Sequence, residues 1–541
     1  MREKYDSSRS EIVHAILKTN YNLSLSPEDI EGIVWPASVM KVILARKAQN
    51  RLGKGIPFNY MVTEFTPSED SKDYSLENNK ELAALVQFLK ENHSKLPVGL
   101  RFQLAVLVGG HWTCIDHVIT SRGVAAFNLD SVMDSKARRF FHVYLLNLEK
   151  EGLLGAGYIY FVNVPSDGPF AKTPKEKVAN MIQTDWISCG IYVVDHLSFL
   201  SRTNVFHHLK TNLGESKYCT LGRKDIPPAL SAIFRLSQSD LLLENLTKKQ
   251  KEPTITRKGK KLSEVGYGDA KRKGRKLLLE ARNFVENCKE EDYEQIFSHN
   301  LLDKLSNYVR HYSTPVNDLI EYIYSGLPGC KNLSDEEAVK LMEKLHGIIL
   351  LSELNDSQKI LAITDLTVSA LEKSNEESSY RLLAGVLSYA ALNIDDNRQL
   401  FDFYTKILTS PLGQGLNNTT NSFFKTPTRF TPALLTHLEK AVKIQLLYNA
   451  AVDLENGYKD QFNLIYDLPG CSTFINKPRT FNTSETKSGQ ILNELTRLAG
   501  LEEIESTGSI KQQLEERKKE VLSEFNFKIH ETASHLPAVR Q

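Results

Sequence analysis

The stretch Gln183-Thr184-Asp185-Trp186-Ile187-Ser188-Cys189-Gly190-Ile191-Tyr192-Val193-Val194-Asp195-His196-Leu197 decides how this chain is read. The turn-forming Ser188-Cys189-Gly190 leads into an apolar run, which places Cys189 at the N-terminal end of an expected helix. Backbone N–H groups and the helix dipole at that end favour a thiolate over a thiol. Gln183 stands six residues earlier, and its amide N–H₂ can join the Cys189 N–H as an oxyanion hole. The pattern is that of a nucleophilic cysteine.

A thiol nucleophile needs an imidazole to take its proton and a carboxylate to orient the ring. Upstream, the run Phe102–Val108 reads as a strand, Gly109-Gly110 breaks it, and His111-Trp112 opens another apolar segment. Val124–Phe127 reads as the paired strand, running out into Asn128-Leu129-Asp130-Ser131. Adjacent strands can set His111 beside Asp130. In chain order the residues are His111, Asp130, Gln183 and Cys189, with separations of 19, 53 and 6. His117 shares the strand face of His111 and is the alternative base, although only His111 has Gly-Gly before it and Trp after it. His196 shares a helix face with Cys189, but two turns put it about 10 Å along the axis, which leaves it a packing or capping role. Asn128 and Asp134 are the alternatives to Asp130 as orienting group.

The motifs GGHW, NLDS and QTDWISCGIYV, in this order, resemble those of the clan CE ubiquitin-like-protein proteases, the group of Ulp and sentrin-specific proteases, bacterial deubiquitinases and YopJ-type effectors. The resemblance covers residues 1–235 and implies an α+β, papain-like domain of the Ulp type. It implies catalytic roles for His111, Asp130, Gln183 and Cys189, with no cofactor and no metal. The implied substrates are conjugates of ubiquitin or a ubiquitin-like modifier. In these relatives two tryptophans clamp the modifier's Gly-Gly tail, because a flat aromatic slot admits only residues without side chains. Trp112 matches one, and Trp35, just before the apolar helix expected after Pro36, is the candidate for the other. The competing expectation is burial, the default for large aromatics.

Two departures bear on the chemistry. The family usually carries Asp immediately before the cysteine, where this chain has Ser188. YopJ-type acetyltransferases typically use Glu as the third member, so Asp130-Ser131 tilts the expectation toward hydrolysis, a cysteine isopeptidase. Acetyl transfer from acetyl-CoA on the same scaffold is the alternative, and a catalytically silent modifier-binding adaptor is a third reading.

Downstream the character changes. Lys248–Lys276 holds 12 Lys or Arg and 3 acidic residues, a local charge of +9 in a chain of net charge +1. Residues 236–276 therefore read as a basic linker, either a solvated hinge or a site for an anionic lipid, nucleic acid or an inositol phosphate. Residues 277–541 read as a helical bundle. Ser334 and Glu337 form a capping-box pattern before apolar residues at helical spacing. Thr431-Pro432 opens another helix, with Leu435, Leu438, Val442 and Leu446 on one face. IYSGLPGC and IYDLPGC echo each other at Cys330 and Cys471.

Composition sets the outer limits. At 41% hydrophobic and 25% charged, the 541 residues are ordinary material for two or three domains. Cys114, Cys189, Cys219, Cys288, Cys330 and Cys471 lack the spacing of a zinc site or a disulfide framework and read as free thiols. The start MREKYDSSRS has no signal-peptide core, and no run approaches the roughly 20 apolar residues of a membrane span. A Glu-rich patch near the C-terminus is similar to type IV translocation signals. With the protease motifs and the helical appendage, it makes a bacterial effector acting in the host cytoplasm the expected setting.

Overall fold

The run Phe102–Val108 and its neighbours form the centre of a six-stranded mixed sheet: β1 Tyr60–Phe65, β2 Arg101–Val108, β3 His111–Thr120, β4 Gly123–Leu129, β5 Leu154–Val162 and β6 Tyr218–Leu221, in spatial order identical to chain order. β2, β3 and β4 run antiparallel, while β1 is parallel to β2 and β5 and β6 continue parallel beyond β4. Parallel pairs need crossovers, supplied by helices. Before β1 lies α1 Ala37–Leu52, β1 returns through α2 Lys80–Asn92, and β4 returns through α3 Ser135–Lys150. The computed structural model describes residues 34–52, 58–66, 76, 79–132, 134–162, 182–183, 185, 187–209, 218–221, 226–236, 261, 270–287, 301–372, 374, 376–410, 412, 431–455 and 510–527.

Gly109 and Gly110 turn β2 into β3 with φ of +54° and +87°. Two successive positive φ values are the signature of a two-residue hairpin turn of type I′, a conformation that side chains with a Cβ resist. Val108 therefore pairs with His111, and the histidine starts its strand at a fixed register.

The sheet is covered on both faces. His117 of β3 bonds to Tyr144 of α3, whereas its neighbour Asp116 pairs with Arg101, which also donates to the carbonyls of Leu200 and Thr203 at the end of α4 Cys189–Leu200. Alternate residues of a strand point to opposite faces, so the sheet lies between α3 and α4. Residues 112–119 of β3 are accordingly buried without interruption, as expected of a strand packed on both sides.

The chain divides into two compact units, one of Met1–His311 with Asp335–Lys344 and the other of Tyr312–Ser334 with Leu345–Gln541. The first holds the sheet together with α5 Val205–Leu209, α6 Ala270–Glu286 and α7 Leu301–Arg310. The unit bounds fall elsewhere than the expected positions 235 and 276. Residues 270–276 of the expected linker are the first turns of α6, and α6 packs on α1 and α4. Gly274 makes the approach possible, since a Cβ there would lie 2.6 Å from Ile191 Cδ1. The span 237–260 lies outside the described residues.

Among the described residues the second unit is helical: α8 Thr314–Gly326, the end of α9 Asp335–Ile349, α10 Asp356–Leu371, α11 Glu377–Ala391, α12 Asn397–Thr409, α13 Thr431–Glu455 and α14 Ile510–Ser523. Leu435, Leu438, Val442 and Leu446 of α13 are buried, as their spacing predicts. Phe527, past the end of α14, stacks between Tyr322 and Tyr389 with ring centroids 4.0 and 4.5 Å away. The echo at Cys471 falls outside the described residues, as do residues 500–509 of the Glu-rich stretch, whose remainder forms α14 and the residues just past it. No helix among those described is long and apolar enough to cross a membrane. The chain is of mixed α+β class.

Candidate active site

Sheet register builds the first half of the site. Cys114 pairs with Leu129, which brings the end of β4 alongside the start of β3. Nε2 of His111 lies 2.9 and 3.1 Å from the two carboxylate oxygens of Asp130, and Asp130 Oδ1 also accepts from the Val132 N–H at 2.9 Å. Burial, the largest influence on the ring, favours neutral imidazole. The Asp130 charge and hydrogen bond, joined by Cys189, outweigh it and hold His111 up at about 11, so at neutral pH the ring is imidazolium.

The alternatives to this pair have other employment. His117 is stacked on Phe102 at 4.4 Å and bonded to the Tyr144 hydroxyl at 3.0 Å, and burial pushes it down to about 3, so it stays neutral. Asn128 donates to Thr113 Oγ1 and the Cys114 carbonyl, both at 3.0 Å. Asp134 is the N-cap of α3, accepting from the N–H groups of Lys136 and Ala137. His196 is buried on α4, and burial takes it down to about 4.

The second half of the site is the start of α4. Ser188 supplies the first helical acceptor, its carbonyl taking the N–H groups of Ile191 at 2.9 Å and Tyr192 at 3.2 Å. Cys189 is thus the first helical residue, and N–H groups of a first turn have no intrahelical acceptor. Its sulfur lies near enough to His111 to help hold the ring protonated. With Nε2 committed to Asp130, Nδ1 is the nitrogen left for the sulfur.

Gln183 joins the two halves. Its N–H donates to the Ser131 carbonyl at 3.0 Å, its Oε1 accepts from Ser131 Oγ at 2.7 Å, and its Nε2 donates to the Asp185 carbonyl at 2.7 Å. The amide therefore links the residue after Asp130 to the loop before Cys189. One amide hydrogen is committed to the Asp185 carbonyl, which leaves the second as the candidate oxyanion donor.

The tryptophans correct an expectation. Trp112 is 0% exposed and Trp35 2%, and the Trp112 indole donates to the Trp35 carbonyl at 2.6 Å. Both rings are buried, as is Cys189 itself. The Trp35 ring lies instead on Gly190, where a Cβ would stand 3.1 Å from its Cε3. The glycine after the cysteine makes room for an aromatic ring, and the pair of tryptophans ties α1 to the histidine strand. Trp186 lies outside the described residues.

Cations gather along the other flank of α4. Asp195 is buried and paired with both Arg235 and Lys273, and Arg46 of α1 pairs with Glu280 of α6. Burial, with repulsion from Lys47, pushes Lys273 down to about 7. Lys47 is pushed down to about 8 by burial and by Arg51, with Arg235 and Arg202 adding to it. Among the described residues, no group of three or more His, Cys, Asp or Glu is placed to hold a metal ion.

No family model matches the chain, and no curated protein is similar to it. Among solved structures, AvrA delL154 with IP6 and CoA overlaps 52% of this chain and 97% of its own, at 14% identity and a TM-score of 0.31. That overlap is too loose to define a fold.

Sequence reading missed Asp185. Its Oδ1 accepts from the N–H groups of Ile187 at 3.1 Å and Ser188 at 2.8 Å, and its Oδ2 accepts from Ser188 Oγ at 2.7 Å. The signal was present as Asp-x-x-Ser, since Asp side chains close local turns by accepting from N–H groups two and three residues on.

Proposed function

We propose that the chain is a cysteine-dependent acyl-transfer enzyme that works through a thioester on Cys189. The observation that carries this is an imidazole held by the Asp130 carboxylate, with Cys189 at the start of α4 near enough to contribute to its charge state. In the first step the sulfur attacks a carbonyl, the bond to the leaving group breaks, and His111 gives that group its proton. In the second, His111 takes a proton from the acceptor, water or an amine, as it attacks the thioester and the sulfur departs. The Cys189 N–H and the Gln183 amide are the oxyanion donors in this scheme.

The acyl donor distinguishes two versions. Acetyl-CoA, with transfer of acetyl to a protein side chain, is favoured by two features: the expected tryptophan slot for Gly-Gly is filled core, and the cations Lys47, Arg51, Arg235 and Lys273 suit phosphates, whether of the donor or of an inositol phosphate. Hydrolysis of a ubiquitin or ubiquitin-like conjugate is the second version, favoured by Asp130 in place of Glu as third member. In either version we place the enzyme as a secreted effector acting inside a host cell.

Intact-mass analysis of the full chain against acetyl-CoA and against ubiquitin, SUMO and NEDD8 probes with reactive C-termini separates the versions. An acetyl adduct on wild type and none on Cys189→Ala supports the first. A modifier adduct lost in the same variant supports the second, and no adduct from any donor removes both.

A further inference from the structure

Asp185 gathers four hydrogen-bond donors onto one side chain. Oδ1 takes the N–H groups of Ile187 and Ser188, Oδ2 takes the Ser188 hydroxyl, and Gln183 Nε2 lies 3.3 Å from Oδ1 while bonded at 2.7 Å to the Asp185 carbonyl. Ser188, in turn, supplies the carbonyl that begins α4 but makes no side-chain cap of its own. The hydroxyl that would ordinarily cap the helix is spent on Asp185 instead. The direction in which Cys189 leaves the loop is therefore set by a carboxylate three residues before the helix cap.

We propose that Asp185 is the positioning residue of the nucleophile loop, holding Ser188 so that the Cys189 sulfur meets His111 and its N–H faces the acyl carbonyl. This rests on the reading of Cys189 as nucleophile. The resemblance places an acidic residue directly before the cysteine, and here Asp185 supplies a carboxylate to the same loop from four residues before it. The effect of Asp185 passes through its bonds to Ser188 and Gln183.

Charge and position make opposite demands, which gives the idea a sign. A carboxylate near a sulfur opposes the thiolate, so if Asp185 acted only through its charge, removing it would raise the reactivity of Cys189. If it acts by positioning, removing it lowers reactivity, because a misplacement of about 1 Å can cost on the order of 100-fold.

The test is the rate of Cys189 alkylation by iodoacetamide in the full chain, followed by peptide mass mapping, with melting temperature measured alongside. Cys189 is buried, as Cys114 is, so wild-type Cys189 should react faster than Cys114 at the same pH, and His111→Ala should abolish the excess. If it does not, the nucleophile reading fails before Asp185 is reached. Given that excess, Asp185→Ala should slow alkylation roughly 10- to 100-fold, and Asp185→Asn, which keeps Oδ1 for the two N–H groups, should return to within about threefold of wild type. Wild-type or faster alkylation in a folded Asp185→Ala protein overturns the proposal. Should Asp185→Ala misfold, Ser188→Ala removes the hydroxyl bond alone. A slowing of about threefold or more at unchanged melting temperature supports positioning, and wild-type reactivity there assigns Asp185 to folding and overturns it.

Discussion

The two halves of the site are held by different means. His111 and Asp130 are fixed by backbone: a two-glycine turn starts β3, and the ladder between β3 and β4 brings both residues to the same end of the sheet. Cys189 is fixed by side chains, through Ser131, Gln183, Asp185 and Ser188. Sheet register is cooperative and tolerant of single changes away from the ladder, whereas a chain of side-chain bonds fails at any member. The acid–base pair should therefore withstand neighbouring substitutions that disable the nucleophile loop.

The largest expected effect is removal of the sulfur itself. Cys189→Ala should cut turnover by at least about 10⁴-fold and abolish any acyl adduct, with melting temperature nearly unchanged. Residual turnover close to wild type would end the comparison, since there would be no nucleophile half.

Asp130→Asn comes next and probes the backbone-fixed half. It should cost on the order of 10⁴-fold in turnover. Without the carboxylate, burial wins, and the His111 resonance followed by NMR should titrate far below about 11. The same shift has a stability consequence. A ring ordinarily near 6.5 and held at about 11 in the fold stabilises it fully below 6.5, and that contribution drains away as pH rises toward 11. Asp130→Asn should flatten this alkaline loss. Asn128→Ala, on the same strand, should leave turnover within about twofold while lowering stability by about 1–3 kcal/mol. A comparable loss of turnover would make Asn128 the orienting group.

Intermediate effects belong to the packing that seats α4. Trp112→Ala should cost about 3–5 kcal/mol as a core deletion, whereas Trp112→Phe loses mainly the bond to the Trp35 carbonyl and should cost about 1 kcal/mol. Retained stability with lost turnover in Trp112→Ala would restore the ring to the substrate channel. Of similar size, Gly274→Ala presses a methyl toward Ile191 and should cost about 1–3 kcal/mol as overpacking. An unchanged melting temperature would show that α6 only leans on the catalytic unit.

Sequence gave a good view of the backbone-fixed half because its signals are local. Alternating apolar runs, a Gly-Gly break and a carboxylate at a strand end each follow from short-range rules. Helices after Pro36 and Thr431 were legible for the same reason. What escaped reading depends on partners distant in the chain. Nothing near Trp112 says that its indole will meet the carbonyl of Trp35, 77 residues earlier. The basic run was read as a linker because its charge dominates the composition, yet Lys273 answers a buried Asp195 on the nucleophile helix, 78 residues before it. Asp185 was overlooked for a different cause: the resemblance directs attention to the position before the cysteine, and the carboxylate stands outside it.

The ring of Trp35 resting on Gly190 has an evolutionary reading. A glycine kept for space is a constraint shared between two sites, so the identities at 35 and 190 should change together in descendants and relatives of this chain. Where position 35 carries a smaller residue, alanine or serine becomes admissible after the cysteine without harm to the thiol. Homologues with that pairing would lie beyond the reach of any search that insists on Cys-Gly, and a search for a small residue at 190 joined to a reduced side chain at 35 is the way to recover them.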